Sequence, residues 1–198
     1  MKIKLGDFTE VKSGYSLKSS LTNYEKGDIN VIQAQDLKVP DFTDLLKITI
    51  PNSEKHALIP GDILLSARGE FVARVFREKR LKAIASSSLF IVRVKSPKVM
   101  PEYLVHYLNS RTGQSQLERA STSTYIKSIS KTNLDELEIP IIPLKEQELV
   151  VRLANNLQSQ HEKYVKKTKM IDAIFDASIS KLITKELKWQ PNNIPKKS

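Results

Sequence analysis

The chain changes character within one short stretch, which reads Ile139-Pro140-Ile141-Ile142-Pro143-Leu144-Lys145-Glu146-Gln147. Before this stretch, short apolar runs alternate with turn residues, and after it neither Pro nor Gly occurs again until Pro191. The two prolines favour an extended approach, and Glu146 and Gln147 suit the capping of free amides at a helix start. The sequence therefore predicts a domain of residues 1–144, a long helix of residues 145–188 and a flexible tail of residues 189–198.

The predicted helix carries an apolar stripe at heptad spacing. Its members recur at steps of four and three residues, the spacing with which one helix packs against another. At about 1.5 Å per residue the helix is on the order of 60 Å long, so we expect it to extend beyond a small domain and to need a partner helix. A second copy running antiparallel would cover the stripe with two-fold symmetry, and helices of another protein are the alternative. The predicted dimerisation residues are Leu153, Leu157, His161, Tyr164, Thr168, Ile171, Phe175, Ile179 and Leu182.

The region before the boundary predicts a domain that contains both strands and helices. Runs of apolar, β-branched and aromatic residues between turn residues indicate strands. A Pro followed by apolar residues at helical spacing indicates a short helix. The predicted strands are residues 28–32, 45–50, 62–66, 71–76 and 89–94, and the predicted helices are residues 101–110 and a second one after Thr112.

Composition and charge narrow the class of protein. The 198 residues include 32 Lys and Arg against 22 Asp and Glu, a formal net charge of +10, which favours polyanionic partners and nucleic acid first. The absence of Cys excludes disulfides, thiolate metal sites and a Cys nucleophile, and it fits a reducing compartment. No apolar run approaches the roughly 18 residues of a membrane span, and no signal peptide is recognisable, so we expect a cytoplasmic protein without membrane contact.

The sequence motifs of catalysis are missing. It contains neither the phosphate-binding loop of nucleotide hydrolases, nor the glycine-rich dinucleotide fingerprint, nor the Gly-x-Ser-x-Gly nucleophile elbow. The Asn/Asp-Pro-Pro-aromatic loop of amino-group methyltransferases is absent too. His56, His106 and His161 lie far apart in the sequence, which favours ordinary polar roles over metal ligation. We therefore predict a non-catalytic protein that itself binds no metal and no cofactor.

Positive charge concentrates between residues 66 and 98. Nine cations against Glu70 and Glu78 give this region a local charge of +7, which favours contact with DNA phosphates, with solvated hairpin charges as the alternative. Neighbouring loops carry hydroxyl, amide and ammonium groups suited to phosphates and base edges. The predicted DNA-binding residues are Lys12, Ser13, Tyr15, Ser16, Lys18, Gln33, Gln35, Lys38, Arg68, Arg74, Arg77, Lys79, Arg80, Ser121, Thr122, Ser123, Thr124, Tyr125, Lys127 and Lys131.

Seven short motifs follow one another along the chain, in residues 5–8, 13–16, 32–37, 59–69, 85–93, 101–104 and 129–147. The fourth contains the turn Pro60-Gly61-Asp62 before an apolar run, and the last leads into the helix. In this order and at this spacing the motifs resemble the specificity (S) subunit of type I restriction-modification systems. The resemblance covers nearly the whole chain, as one target recognition domain followed by one spacer helix.

This resemblance implies an α+β fold, in which a mixed α/β recognition domain with a strongly bent sheet precedes one long coiled-coil-type helix. It also implies that the domain reads one half of a split sequence in double-stranded DNA while the helix sets the distance to the other half. Adenine methylation with S-adenosylmethionine, and cleavage with ATP and Mg, would belong to separate modification and restriction/helicase subunits. Family members usually carry two recognition domains and two helices. This chain has one recognition domain and one helix. We therefore expect either a half-subunit that pairs with its own copy or with a second specificity half, or a truncated remnant.

Two other functions stay open. One is a detached recognition domain of a single-chain restriction-methylation enzyme, against which the missing catalytic motifs count. The other is a coiled-coil interaction protein whose basic domain binds RNA or no nucleic acid at all. The aromatic content of 7%, without clustered stacking residues, disfavours single-stranded RNA.

Overall fold

The computed structural model describes residues 1–17, 27–39, 41–50, 52–122 and 126–187, with side chains through residue 184. It has the predicted α+β architecture and the predicted long C-terminal helix. The predicted tail of residues 189–198 lies outside the described residues. The described elements are β1 (Lys2–Lys4), α1 (Leu5–Phe8), β2 (Thr9–Ser13), β3 (Ile29–Ile32), β4 (Leu46–Ile48), β5 (Ile63–Ser66), β6 (Ala73–Val75), β7 (Ala83–Ala85), β8 (Leu89–Val94), α2 (Pro101–Asn109), α3 (Arg111–Ala120), α4 (Lys131–Asp135), β9 (Glu138–Pro140) and α5 (Leu144–Leu187).

The largest sheet has four antiparallel strands in the order β2-β8-β5-β6. Strand β5 lies between β8 and β6, and all four of its residues are buried. Ile63 and Leu65 pack into one hydrophobic cluster, whereas Leu64 packs into a second cluster with Phe76. Because neighbouring side chains of a strand point to opposite faces, an unbroken apolar run suits a strand that is covered on both faces.

The strand register defines two ends of this sheet. Ser66 pairs with Leu89 and Ser13 pairs with Phe90, so β2 and β5 finish where β8 begins. At the other end, Ile63 pairs with both Val75 and Val92. The loops that follow β2 and β5 therefore share one end with the turn that precedes β8.

Two smaller sheets complete the domain. Strands β4, β3 and β7 form a three-stranded sheet in which β3 and β7 run parallel. Strands β1 and β9 pair over three residues, and Lys2 lies opposite Pro140. The approach to the long helix is thus a paired strand as far as Pro140, and Ile141 continues the pairing through its N–H, which donates to the Met1 carbonyl at 2.8 Å.

Helices α2 and α3 hold the edge strand of the four-stranded sheet. The amide of Asn109 pairs with both backbone groups of Ala73 in β6, accepting from its N–H at 2.9 Å and donating to its carbonyl at 2.8 Å. Gln114 donates from Nε2 to the carbonyl of Phe71 at 2.8 Å. Side-chain amides therefore satisfy backbone groups that a further strand would otherwise pair.

The expected capping role of Gln147 is wrong. Its side chain is fully buried, its Oε1 accepts from the N–H of Met100 at 2.9 Å, and its Nε2 donates to the carbonyls of Lys98 and Ile142 at 2.8 Å each. The amide thus satisfies backbone groups of the segment before α2 and of the approach to α5. It ties two distant parts of the chain together, which a sequence pattern of helix capping does not reveal.

Helix α5 has 44 residues and begins one residue earlier than the sequence predicts. The chain divides into two compact units, Met1–Val151 and Arg152–Ser198. In the second unit every predicted stripe residue is exposed, including Leu157 at 67% and Phe175 at 64%. None of the helices in the described residues combines the length and the apolarity that a membrane crossing requires.

Candidate nucleic-acid interface

Five loop segments converge at the end of the four-stranded sheet where β2 and β5 finish and β8 begins. They are residues 12–16, 33–38, 67–70, 86–88 and 126–128, and we call this set the loop face. Four of the five contain residues that the sequence predicts to bind DNA. These four are far apart in the sequence, and backbone hydrogen bonds bring them together.

The turn of residues 86–88 is the centre of the loop face. Its Ser86 N–H donates to the carbonyl of Ile32, and its Ser87 N–H donates to the carbonyl of Tyr15, both at 2.8 Å. The Ser88 hydroxyl accepts from the N–H of Ala34 at 3.2 Å, and the Ser88 carbonyl accepts from the N–H of residue 67 at 2.9 Å. Three other segments of the loop face are therefore fixed directly to this turn.

The segment of residues 67–70 also pairs with residues 126–128. The N–H of Gly69 donates to the carbonyl of Lys127 at 2.7 Å, and Arg68 forms an isolated antiparallel bridge with Ser128. Gly69 has a φ of +75°, a conformation that glycine adopts without strain. The turn leaves the Arg68 side chain exposed beside Lys127.

Gly14 lets the Tyr15 loop approach the serine turn. A Cβ atom at position 14 would lie 2.0 Å from the carbonyl oxygen of Ser86, so no larger residue fits this contact. Next to it, the ring of Tyr15 makes an edge contact with the ring of His56, with 5.0 Å between the ring centroids. The half-buried Tyr15 ring therefore packs against His56 beside the serine turn.

Carboxylates neutralise three of the lysines that were predicted to bind DNA. Lys38 pairs with Glu70 and Lys127 pairs with Glu118, each with 2.5 Å between nitrogen and oxygen, and all four side chains are about half exposed or more. Lys12 pairs with Glu10 at 2.8 Å. Hydrogen bonds from Lys12, and next from Lys95, lower the pKa of Glu10 to about 2.

Two predicted arginines of the hairpin region, Arg74 and Arg77, have protein partners as well. Arg74 lies over the ring of Phe42, 4.0 Å from its centroid, and donates to the carbonyl of Val39. Burial lowers the pKa of Arg74. Arg77 lies 3.6 Å from Glu102. These contacts hold the two guanidinium groups beside the edge strand β6.

Arg93, one of the nine cations counted between residues 66 and 98, has a structural role. Its Nε and Nη2 donate to the two carboxylate oxygens of Asp62 at 2.7 and 2.8 Å. Asp62 is fully buried, and its hydrogen bonds raise the pKa of Arg93. A charge that neutralises a buried carboxylate in this way is less available to a polyanion than an unpaired one.

A cavity of about 420 Å³ opens between the Gly69 turn and residues 126–127. Phe71 and Ile126 provide its apolar wall, and Glu70, Glu118 and Lys127 provide its charged rim. Both apolar and polar groups of a base edge would find partners there.

The structure brings about half of the predicted DNA-binding residues to the loop face or directly beside it, and places five others elsewhere. Beside the loop face, the Thr122 N–H donates to the carbonyl of Ser128 at 2.9 Å. Lys131 lines a different cavity, with Glu10 and Glu136. The residues at or beside the loop face are Lys12, Ser13, Tyr15, Ser16, Gln33, Gln35, Lys38, Arg68, Ser121, Thr122 and Lys127; those elsewhere are Arg74, Arg77, Lys79, Arg80 and Lys131; Lys18, Ser123, Thr124 and Tyr125 lie outside the described residues.

The predicted set of binding residues omits the three serines at the centre of the loop face. Ser86 is buried, and its hydroxyl lies 2.7 Å from that of Ser88. Three consecutive serines before a predicted strand were the sequence feature that could have indicated this turn. Among the described residues no group of His, Asp and Glu side chains is arranged to hold a metal ion.

Comparison with known proteins gives one matching family model, described as the type I restriction modification DNA specificity domain, over residues 1–169. A curated relative, the type I restriction enzyme EcoBI specificity subunit of Escherichia coli, is 21% identical over 194 residues. The match covers 94% of this chain and 40% of that subunit. The StySPI specificity subunit of Salmonella potsdam is 23% identical over 150 residues, which are 72% of this chain and 32% of that one. The chain thus spans two fifths or less of these relatives.

Solved structures show the same fold. The HsdS subunit from Thermoanaerobacter tengcongensis superposes with a TM-score of 0.58 at 23% identity, over 81% of this chain and 37% of that one. A chain from a structure described as the basis of complex assembly and conformational transition of the type I R-M system gives a TM-score of 0.64 at 23% identity, over 92% of this chain and 43% of that one.

Proposed function

The chain belongs to the family of type I restriction modification DNA specificity domains, and on this premise we propose that it recognises a specific sequence in duplex DNA through its loop face. The observation that carries this proposal is the convergence of five loop segments around residues 86–88. Loops on a rigid sheet can present hydroxyl, amide and guanidinium groups to base edges in fixed positions.

The charge pattern of the loop face favours two kinds of contact, in which some residues contact base edges and others contact phosphates. Arg68 and Gln35 are exposed, and in the described part of the chain neither side chain forms a hydrogen bond or an ion pair, so both are available to base edges. Lys38 and Lys127 are paired with Glu70 and Glu118 at the surface, where such pairs contribute little stability and are readily exchanged. Phosphate oxygens would compete for these lysines, because each phosphate contact releases bound counterions.

We assign the chemistry to other subunits. The chain carries a DNA specificity domain and lacks the catalytic motifs sought in its sequence. A modification subunit would supply adenine methylation with S-adenosylmethionine, and a restriction/helicase subunit would supply cleavage with ATP and Mg. In this proposal the chain binds none of these cofactors, and it acts in the cytoplasm.

We further propose that helix α5 packs antiparallel against the same helix of a second copy. Its exposed stripe of large apolar side chains, including Leu157, Tyr164 and Phe175, is more than a soluble surface usually carries without a partner. Met170 and Ile174 are exposed too and lie off the stripe, so the second half of the helix has more apolar surface than a two-helix seam covers. Helices of a modification subunit would cover the remainder.

Selection from a pool of randomised duplex DNA tests the proposed function. The full chain should enrich one sequence, and its affinity for that sequence should fall steeply with salt. The variant Gln35→Ala/Arg68→Ala should enrich a different or weaker sequence, and Lys47→Ala, an exposed lysine on β4, serves as a control that keeps the original preference. Equal affinity of the unaltered chain for all sequences would refute the proposal.

A further inference from the structure

Three cations, Lys79, Arg80 and Lys82, lie on one short segment away from the loop face. The segment follows Phe76, whose N–H donates at 2.8 Å to the carbonyl of Asp62, directly before β5. The loop face starts beyond the other end of β5. At about 3.3 Å per residue the two regions are roughly 15 Å apart along the strand.

The charges of these three residues have no partner in the described part of the chain. All three side chains are exposed, and no described carboxylate lies within 4.0 Å of their nitrogen atoms. The adjacent Glu78 accepts a hydrogen bond from the backbone N–H of Arg77 at 2.9 Å. The segment therefore differs from the loop face, where carboxylates already hold the lysines.

The backbone of the segment is fixed, although its charged side chains are free. The carbonyl of Lys82 accepts from Asn30 twice, from the backbone N–H at 3.0 Å and from Nδ2 at 2.9 Å. Leu81, between two of the cations, packs against the second hydrophobic cluster. A rigid segment loses less conformational entropy when it binds a ligand than a disordered one does.

The cations line a cavity of about 510 Å³. Asp28 and Glu54 line it as well, so the interior has little excess charge for a small anion. The three cationic side chains reach solvent from a single segment, an arrangement that suits an extended polyanion passing over the rim.

We propose that Lys79, Arg80 and Lys82 form a second phosphate-contact surface, which binds duplex DNA beside the bases that the loop face reads. The inference rests on the proposed function for the position of the DNA. A duplex advances about 3.4 Å per base pair, so a separation of roughly 15 Å corresponds to four or five base pairs for a duplex that lies along the sheet. Contacts to phosphates outside the recognised sequence add affinity without sequence preference.

The salt dependence of DNA binding tests this surface on its own. The full chain with Lys79→Gln, Arg80→Gln and Lys82→Gln is compared with a charge-matched control in which Lys163, Lys166 and Lys167 of α5 are changed to Gln. The probe is a duplex of arbitrary sequence and about 40 base pairs, titrated at salt concentrations from about 50 to 200 mM. Loss of three contacts should reduce the slope of log K against log salt by about 2.7, so the unaltered chain should lose about 40-fold more affinity over this range than the variant. The control should keep the slope of the unaltered chain.

A second arm uses the sequence that the unaltered chain selects, embedded in duplexes with short or long flanks. The unaltered chain should bind the long duplex more tightly, whereas the triple variant should bind both alike and keep its base preference. An unchanged salt slope in the triple variant would overturn the inference, and so would a changed base preference, which would place these residues within the recognition site. If the unaltered chain selects no sequence, the proposed function fails, while the slope on the arbitrary duplex still decides the inference.

Discussion

Removal of the buried carboxylate of Asp62 should destabilise the recognition domain strongly. Asp62 follows the turn at Pro60 and Gly61, and its side chain is fully buried. The carboxylate accepts three hydrogen bonds, from the N–H of Ile59 at 2.9 Å and from two nitrogens of Arg93 at 2.7 and 2.8 Å. The change Asp62→Ala removes all three and leaves the guanidinium without its counter-charge.

The expected loss of stability in Asp62→Ala depends on how far the side chain of Arg93 is exposed. Loss of one member of a fully buried ion pair costs about 3–5 kcal/mol, because the other charge stays buried. The Arg93 side chain is 28% exposed and can recover part of its hydration, which places the expected cost near the lower end, at about 3–4 kcal/mol including the lost bond to Ile59. For a chain of this length that cost lowers Tm by about 10 °C.

Urea unfolding and thermal unfolding followed by circular dichroism measure this cost. Asp62→Asn keeps an oxygen for the Ile59 amide and loses only the charge, so its cost should be intermediate, about 2 kcal/mol. Glu138→Ala is the control, because the Lys2–Glu138 pair is more than 60% exposed at 3.5 Å and should contribute below about 1 kcal/mol. If Asp62→Ala destabilises the chain no more than Glu138→Ala does, the assignment of the buried ion pair as a main support of the sheet is refuted.

Three further outcomes are expected. Lys127→Ala should weaken binding to all duplex sequences alike and reduce the salt slope by about 1, as measured by fluorescence anisotropy, whereas a change in base preference would contradict a phosphate role. Ile171→Asp in the helix stripe should convert a dimer to a monomer in sedimentation velocity; a chain that is monomeric from the start would show that the stripe serves another protein. The Glu10 carboxyl should titrate in NMR spectra with a pKa of about 2, so its contribution to stability is complete above its ordinary pKa of 4.5 and is lost as the pH falls toward 2. Lys12→Gln and Lys95→Gln should each move that pKa upward, and an unchanged value in both variants would exclude the two ion pairs as its cause.

The sequence predicted the strands that carry their own apolar signal. Strand β8 has the predicted bounds, and β5 lies within the predicted residues 62–66. Strand β2 was not predicted because its polar residues gain their order from pairing with β8. Strand β7, of only three residues, was missed as well, since Ala83 and Ala85 have low strand propensity and depend on burial in the second cluster.

The charge count over residues 66–98 could not locate the proposed binding surface. In an antiparallel sheet, the loops that follow successive strands lie at alternate ends of the sheet. Arg68 follows β5 and Arg80 follows β6, so they lie at opposite ends although only 12 positions separate them. The same count included Arg93, whose charge a buried carboxylate neutralises. Net charge predicts the kind of partner, and the strand register decides which charges can reach it.

The motifs behind the family resemblance have structural roles in this fold, which suggests where specificity must reside. Asp62 supports a buried ion pair, Gly14 permits a close backbone contact, and Gln147 joins the approach of α5 to the segment before α2. Such roles belong to the scaffold, whereas the side chains of Gln35 and Arg68 are exposed in the loop face and pair with no described side chain. Exchange of residues 33–38 and 67–70 with those of a relative should therefore transfer base preference in a selection experiment and leave the unfolding midpoint nearly unchanged. An unaltered preference after both exchanges would place recognition outside the loop face.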